Sequence, residues 1–211
     1  EVKNVQLCDA VINLNRSDSI WNYQFLVDFF STGKSKKTDK KDLAIDVDEI
    51  HLCNIRIYKT DKWVGQDMLL SVKKMDLIFD TFDLSQKNIS FNSLVIDEPY
   101  FTQKSYTGNR PAYLKKPAGH AVSSNPNTLQ WNAAGWQVAG KGIKLINGVY
   151  ANEKLNNKLP NTYFDGSHMV FSAINATLEN FSFLKDTLSA QINLQTNERG
   201  GLQVKKLKAY F

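Results

Sequence analysis

Short alternations of apolar and polar residues run through most of the chain, and one of them recurs. Each copy has apolar residues at its second and fourth positions, and complete copies add a polar residue at the sixth and a large apolar residue at the ninth. The copies are NVQLCDAVINL (4–14), EIHLCNIRIYK (49–59), SLVIDEPYFTQ (93–103), GIKLINGVYAN (142–152) and the shorter KLKAYF (206–211). Alternation broken by a polar residue is typical of a half-buried strand that bends at a bulge. The pattern predicts an internal β-repeat, with bends at Asp9, Asn54, Glu98 and Asn147.

The spacing of the copies favours duplication of one unit. Their first apolar residues lie 45, 44, 49 and 64 positions apart. These residues are Val5, Ile50, Leu94, Ile143 and Leu207. Two longer stretches also match, KTDKWVGQDMLLSVKKMDLIF and NTYFDGSHMVFSAINATLENF. Each has an aromatic residue before a Gly turn, then a Met and an apolar strand that ends in Phe.

In three strand-like stretches the alternation slips by one position. The slips fall between Val72 and Met75, between Phe91 and Leu94, and between Val204 and Leu207. Because adjacent strand residues point to opposite faces, a slip would turn the following apolar residues to the other side of the sheet. We therefore predict a bulge or bend at each slip, which would keep one face apolar throughout.

One stretch, SIWNYQFLVDFF (19–30), has helical spacing and predicts a short helix at the end of a sheet. The predicted organisation follows from these elements. It comprises the strand–helix end of a first repeat (1–30), a basic linker (31–42), second and third repeats (43–102), a Pro-containing connection (103–135) and further, truncated repeats (136–211). Since both ends alternate like strands, we expect the chain to be a piece of a longer protein.

The net charge of +5 is concentrated in connecting segments. Residues 31–42 carry five Lys and two Asp, and residues 99–152 carry six basic residues and no acidic one. We interpret these basic segments as solvated loops and not as a binding site for anionic lipid or nucleic acid. The chain has no nucleic-acid-binding motif and no run near the ~18 apolar residues that a membrane-spanning helix needs.

Residues suited to catalysis or metal binding are few and scattered. His51, His120 and His168 lie far apart in the sequence, and Asp165-Gly166-Ser167-His168 is first of all a turn signal. We therefore predict no catalytic residue, no metal site and no cofactor. Cys8 and Cys53 occupy the same repeat position, so stacking in register could join them in a disulfide. Two buried thiols that replace small apolar residues are the plainer expectation.

Several motifs resemble those of AsmA-like envelope proteins. The opening VQLCDAVINLNRSDSIWNYQFLVDFF is similar to the family's marker, in which a strand and a turn precede an aromatic-Asn-aromatic start to a short helix, here Trp21-Asn22-Tyr23. SLVIDEPYF, with Pro99, fits the same pattern. DKWVGQDMLLSVKKMDLIFDTFDL and FDGSHMVFSAINATLENFSFLKDTLSAQINL resemble the amino-terminal half of TamB-type proteins, particularly those of Bacteroidetes. Residues 103–135 fall outside the resemblance, and the copy at 49 lacks the proline and the helix.

The resemblance implies a long protein that is anchored in the inner membrane, by a helix absent from this chain, and that crosses the periplasm. Its curved antiparallel sheets would form an elongated groove whose dry face carries phospholipid or another apolar ligand, and outer-membrane assembly proteins would be further partners. No nucleic acid is implied.

We therefore expect a mostly β, elongated and curved antiparallel repeat sheet, groove- or taco-like, with one short helix near 19–30. Its function would be non-enzymatic, as a hydrophobic β-groove for phospholipid transport or outer-membrane assembly. The predicted groove residues are Val5, Leu7, Ile50, Leu52, Leu94, Ile96, Ile143 and Leu145. The alternative is a surface adhesion or ligand-binding β-domain with a closed core, which predicts two sheets packed ~10 Å apart.

Overall fold

The computed structural model describes residues 3–31, 47–114, 132–156 and 161–210, which form ten strands and little helix. The elements are β1 (Asn4–Cys8), β2 (Val11–Arg16), α1 (Gln24–Ser31), β3 (Glu49–Asp61), β4 (Gln66–Asp83), β5 (Asn88–Asp97), β6 (Tyr100–Ser105), a 3₁₀ turn (Ala112–Leu114), β7 (Gln137–Lys154), β8 (His168–Leu184), β9 (Thr187–Glu198) and β10 (Gln203–Tyr210). The expectation of a mostly β chain with one short helix is confirmed.

All ten strands belong to one mixed sheet, in the order β1-β3-β4-β5-β7-β8-β9-β10. β2 continues the line of β1 along β3, and β6 continues the line of β5 between β4 and β7. Hairpin neighbours are antiparallel, as expected. The pairs β1/β2 with β3 and β5/β6 with β7 are parallel, because successive repeat copies lie side by side there.

The register of these parallel pairs confirms the repeat. Val5 lies opposite Ile50, and Leu94 lies opposite Ile143. These are the residues that the sequence pattern aligns, so the first copy pairs with the second, and the third with the fourth, without an offset. β4 lies between the second and third copies and keeps them in line, since Leu77 pairs with both Ile50 and Leu94. Equivalent positions therefore line up across the sheet. A side-chain type that recurs at one position of the repeat forms a row of such side chains.

The assignment of a fifth copy to residues 206–211 is wrong. β10 runs antiparallel to β9, and hence opposite to the four complete copies. The strand that runs with the copies at this point is β9, whose Ile192 lies 49 residues after Ile143. β10 matches β4 instead, as VKKL (204–207) and VKKM (72–75) show. Alternation alone carries no information on strand direction, which explains the error.

Bends occur where the polar residues interrupt the repeat. Asp9, Asn54, Glu98 and Asn147 all have left-handed backbones, with φ between 47° and 54°. This conformation costs an L-residue energy, and Asn and Asp tolerate it best. The slips near Asn92 and between Val204 and Leu207 coincide with shifts in strand register, as predicted. At the remaining slip, between Val72 and Met75, β4 keeps its register with β3, so no bulge marks it. Lys73, within this slip, instead lies between the bend at Asn54 on one neighbouring strand and the bend at Glu98 on the other.

The described elements form a single layer. Each contact between two elements joins hydrogen-bonded neighbouring strands, and α1 packs on none of them. The buried apolar residues of this part of the chain are few, namely Val47, Ile55, Phe91, Ala151 and Ala190. The predicted linker 31–42 lies outside the described residues from position 32 onwards, and the connection predicted from 103 begins after Ser105.

Candidate functional site: an uncovered apolar sheet face

Two unbroken rows of apolar side chains cross the sheet from β1 to β10. The first row is Val5, Ile50, Leu77, Leu94, Ile143, Leu178, Ile192 and Ala209, and the second is Leu7, Leu52, Met75, Ile96, Leu145, Ala176, Leu194 and Leu207. Residues two apart on a strand share a face, so both rows lie on one side. All eight predicted groove residues belong to these rows. With neighbouring strands ~4.8 Å apart, each row is roughly 34 Å long.

The same face stays apolar beyond the bends. A Cβ atom on Gly148 would lie 2.7 Å from Leu145 Cδ2 and 3.2 Å from Pro99 Cγ. Gly148 and Leu145 therefore share a face although three positions separate them, which plain alternation does not allow. The next row on this side is Ile12, Ile57, Leu70, Phe101, Tyr150 and Phe171. Its rings follow one another, with centroids 5.8 Å apart for Phe101–Tyr150 and 6.4 Å apart for Tyr150–Phe171.

None of the sixteen side chains in the first two rows is buried. Leu7 and Leu207, at the two outer strands, are 42% and 45% exposed. No other described element covers these rows. Together they make an apolar stripe of roughly 450 Å². The largest apolar patch on a soluble monomer is typically of this size and is often functional.

The opposite face is polar and linked by specific bonds. Beside the first apolar row stands a row that includes Gln6, His51, Asp76 and Lys144. His51 Nδ1 lies 2.8 Å from Asp76 Oδ1, and its Nε2 lies 3.0 Å from Glu49 Oε2. These hydrogen bonds, the one to Asp76 above all, raise the pKa of His51 above its usual value.

The two cysteines lie on this polar face and form a disulfide. Cys8 and Cys53 are register partners in the parallel pair β1–β3, and their Cα atoms are 4.5 Å apart. The expectation of two buried thiols is therefore wrong, because stacking in register brings equivalent positions within bonding distance. The bond fastens the outer strand β1 to the sheet.

A cleft of about 700 Å³ follows the bends on the polar side. It is lined by the left-handed residues and by Val11, Arg56, Ser71, Tyr100 and Val149, among others. Lys73 Nζ lies 2.6 Å from Glu98 Oε1 across it, and Asn54 Nδ2 donates to Asp9 Oδ1 at 2.9 Å. None of the predicted groove residues lines this cleft. The sequence pattern located its bends but offered no sign of the cleft.

The Trp21-Asn22-Tyr23 motif ties the turn after β2 to the sheet. The Asn22 side chain donates to the Asn13 carbonyl and accepts from the Asn15 amide, both at 2.9 Å. Nearby, Asp61 Oδ1 accepts from Arg16 Nε and from the Val64 amide, both at 3.0 Å.

Two groups at this end of the sheet have shifted pKa values. Burial opposes ionisation of Asp61, but its hydrogen bonds from Arg16 and Val64 outweigh burial and lower its pKa. Burial, helped by a hydrogen bond to Asp67, raises the pKa of Tyr106 to about 12.

The reactive residue types have structural partners. His168 is buried against Glu153, with 3.0 Å between Nδ1 and Oε2, and Asp165 accepts the Ser167 and His168 amides through its side chain and carbonyl. DGSH is thus a turn, as predicted, and His120 lies outside the described residues. Within the described ranges, no group of His, Cys, Asp and Glu could hold a metal ion. The described helices include none that is long and apolar enough to cross a membrane.

Comparison with known proteins identified no relative. No protein-family model, curated protein or solved structure matches this chain.

Proposed function

We propose that the chain is a non-enzymatic segment of an AsmA/TamB-like envelope protein whose apolar sheet face binds phospholipid acyl chains. The observation that carries this proposal is the pair of unbroken apolar rows, which no described element covers. A face of this kind is unfavourable in water, and burying it against hydrocarbon would gain ~25 cal/mol for each Å².

The dimensions of the stripe suit an acyl chain. The hydrocarbon core of a bilayer is ~30 Å thick and holds two chain lengths, so one chain spans ~15 Å. A row of roughly 34 Å could therefore hold two chains end to end, or let one chain move along the sheet. Because the rows contain only apolar side chains, an acyl chain would meet similar surroundings at every position along them. No polar side chain in the rows would oppose its movement along the sheet.

The disulfide supports a location outside the cytosol. Structural disulfides form and persist in oxidising compartments such as the bacterial periplasm. Together with the resemblance to AsmA-like proteins, this favours the periplasmic side of the cell envelope. In that setting, lipid transport and outer-membrane assembly are the roles that the resemblance implies, and outer-membrane assembly proteins are the further partners.

The alternative, an adhesion or ligand-binding β-domain with a closed core, needs a second layer. Two sheets facing each other at ~10 Å would bury the apolar rows between them. The described strands form one sheet instead, and the sixteen row residues keep solvent contact. We therefore prefer an open face that takes an apolar ligand.

Lipid extraction and native mass spectrometry of the purified chain test the proposal. We expect co-purified phospholipid with the parent chain, and its loss in the double variant Leu52→Asp/Ile96→Asp, which puts charges in the second row. Thr177→Asp is the matched control, since it adds a charge to the polar face next to Ala176. A folded parent chain without lipid, or equal loss in the control, would sink the proposal. Circular dichroism checks that each variant is folded.

A further inference from the structure

The turns at one edge of the sheet form a continuous border. This edge is marked by Arg16, Asp61, Gln66, Ser105 and Lys154, which stand in one register line. We call this border, with the turns beyond it and α1, the turn edge. Its described turns are residues 17–23, 62–65, 106–114, 161–167 and 199–202, together with Leu155 and Asn156.

The turn edge is rich in exposed apolar and aromatic side chains. More than half of the large apolar side chains that are exposed in the described residues lie here. They include Ile20 (61% exposed), Phe25 (66%), Val64 (51%), Tyr113 (85%), Leu155 (55%) and Tyr163 (66%). At the opposite edge the corresponding residues are Leu84, Leu184 and Leu188. Scattered apolar residues on a surface are ordinary, but a concentration along one edge is not.

Backbone hydrogen bonds join neighbouring turns to one another. The Lys62 amide donates to the Arg16 carbonyl, the Tyr106 amide to the Gly65 carbonyl, and the Leu155 amide to the Ser105 carbonyl, each at 2.8 Å. The turns also touch closely, since a Cβ atom on Gly65 would lie only 2.0 Å from the Tyr106 carbonyl oxygen. The ends of β2, β3, β6 and β7 are therefore held together as a unit, and the apolar side chains of the turns that follow them project from it.

At the turn edge two acidic side chains are buried, whereas most of the basic side chains are exposed. The carboxylates of Asp61 and Glu198 are buried and accept hydrogen bonds, Asp61 from Arg16 and Val64 and Glu198 from the Gly200 amide at 2.6 Å. Four bases at or next to this edge are exposed to solvent, namely Lys62, Lys104, Lys154 and Arg199, whereas Arg16 and Arg110 are partly buried. Two exposed acids, Asp18 and Asp28, are confined to the segment that carries α1. Asp165 in the turn 161–167 is partly buried, and the remaining border still presents net positive charge when this residue is counted.

We propose that the turn edge docks on the surface of an anionic phospholipid bilayer. Exposed Tyr and Phe side chains beside apolar ones suit the boundary between headgroups and hydrocarbon. Exposed Lys and Arg beside them suit anionic headgroups. The row that contains Ile12, Phe101 and Tyr150 runs parallel to this edge, four residues from it along each strand. Docking would therefore bring the apolar face close to the membrane. Docking itself does not require that the face holds acyl chains.

Vesicle flotation tests this surface. The purified chain is mixed with vesicles of phosphatidylcholine alone, or of two parts phosphatidylcholine and one part phosphatidylglycerol. We compare the parent chain with Tyr163→Ser/Phe164→Ser, which removes two apolar side chains, and with Lys62→Glu/Arg199→Glu, which reverses the charge. Leu184→Ser/Leu188→Ser, at the opposite edge, is the matched control, and thermal melting checks folding.

We expect the parent chain to float with the anionic vesicles, and both turn-edge variants to bind at least ~10-fold more weakly. The control should bind like the parent. Failure of the parent to float, equal binding to both vesicle types, or equal loss in the control would overturn the inference. The Leu52→Asp/Ile96→Asp variant separates the two proposals, because it should lose co-purified lipid and still float.

Discussion

The two faces of this sheet are built from the same strands and differ in nearly every interaction. On the polar face, neighbouring strands are joined by defined pairs, such as the Cys8–Cys53 disulfide and the His51–Asp76 contact. On the apolar face, the two rows of equivalent side chains make no directional bond and lack a covering layer among the described residues. One face thus holds the sheet together, and the other is left for a partner.

This division has a consequence for stability. A single-layered sheet has no second layer to pack against, so its stability must come from the backbone ladder and from cross-strand pairs. The polar face can supply those pairs at no cost to the apolar face. Substitutions on the two faces should therefore separate stability from ligand binding.

Removal of the disulfide is the largest expected effect on stability. The variant Cys8→Ser/Cys53→Ser opens a link between residues 45 positions apart. We expect the free energy of unfolding to fall by ~2–4 kcal/mol, because the crosslink restricts the unfolded chain. Chemical denaturation under oxidising conditions measures this loss.

A reduced parent chain provides the control for that variant. It should unfold at the same denaturant concentration as the double Ser variant, and the double variant should gain nothing from oxidation. If the parent were equally stable with and without reductant, the disulfide would not stabilise the attachment of β1 to the sheet.

The left-handed bends give a smaller effect. Asn147→Val puts a β-branched residue at φ 51°, and we expect it to destabilise the sheet by ~1–2 kcal/mol. Asn147→Gly should be close to neutral, because glycine adopts this conformation freely. Thr177→Val, also on the polar face but at an ordinary strand position, is the control. Equal stability of Asn147→Val and Asn147→Gly in urea titrations would contradict the role of this residue as a bend.

Much of the architecture could be predicted because each position of the repeat has the same structural role in every complete copy. A polar residue after two alternating apolar ones marks a bend, and equal spacing marks copies that stack. Alternation carries no information on strand direction, so the sequence pattern wrongly counted β10 as a copy. It also predicted an antiparallel sheet and raised the stacking of copies in register only as a possibility. The disulfide followed from that pairing, which explains why it was set aside in favour of two thiols.

The candidate site could be predicted only in part. The eight expected residues lie on β1, β3, β5 and β7, the strands that carry the complete copies. Their row partners on the other strands, such as Met75 and Leu178, are placed by hairpin register and bulges, which depend on the three-dimensional ladder. The polar cleft was missed because its shape depends on how far each strand bends, and no residue type encodes that angle.

Two residues that are adjacent on one strand should meet different surroundings, hydrocarbon on one face of the sheet and water on the other. Site-specific photocrosslinking in cells tests this most directly, with benzoylphenylalanine in place of Ile143 on the apolar face or of Lys144 on the polar face. We predict a covalent adduct with the mass of a phospholipid at position 143 and none at position 144. Adducts at both positions, at neither, or at 144 alone would contradict the account.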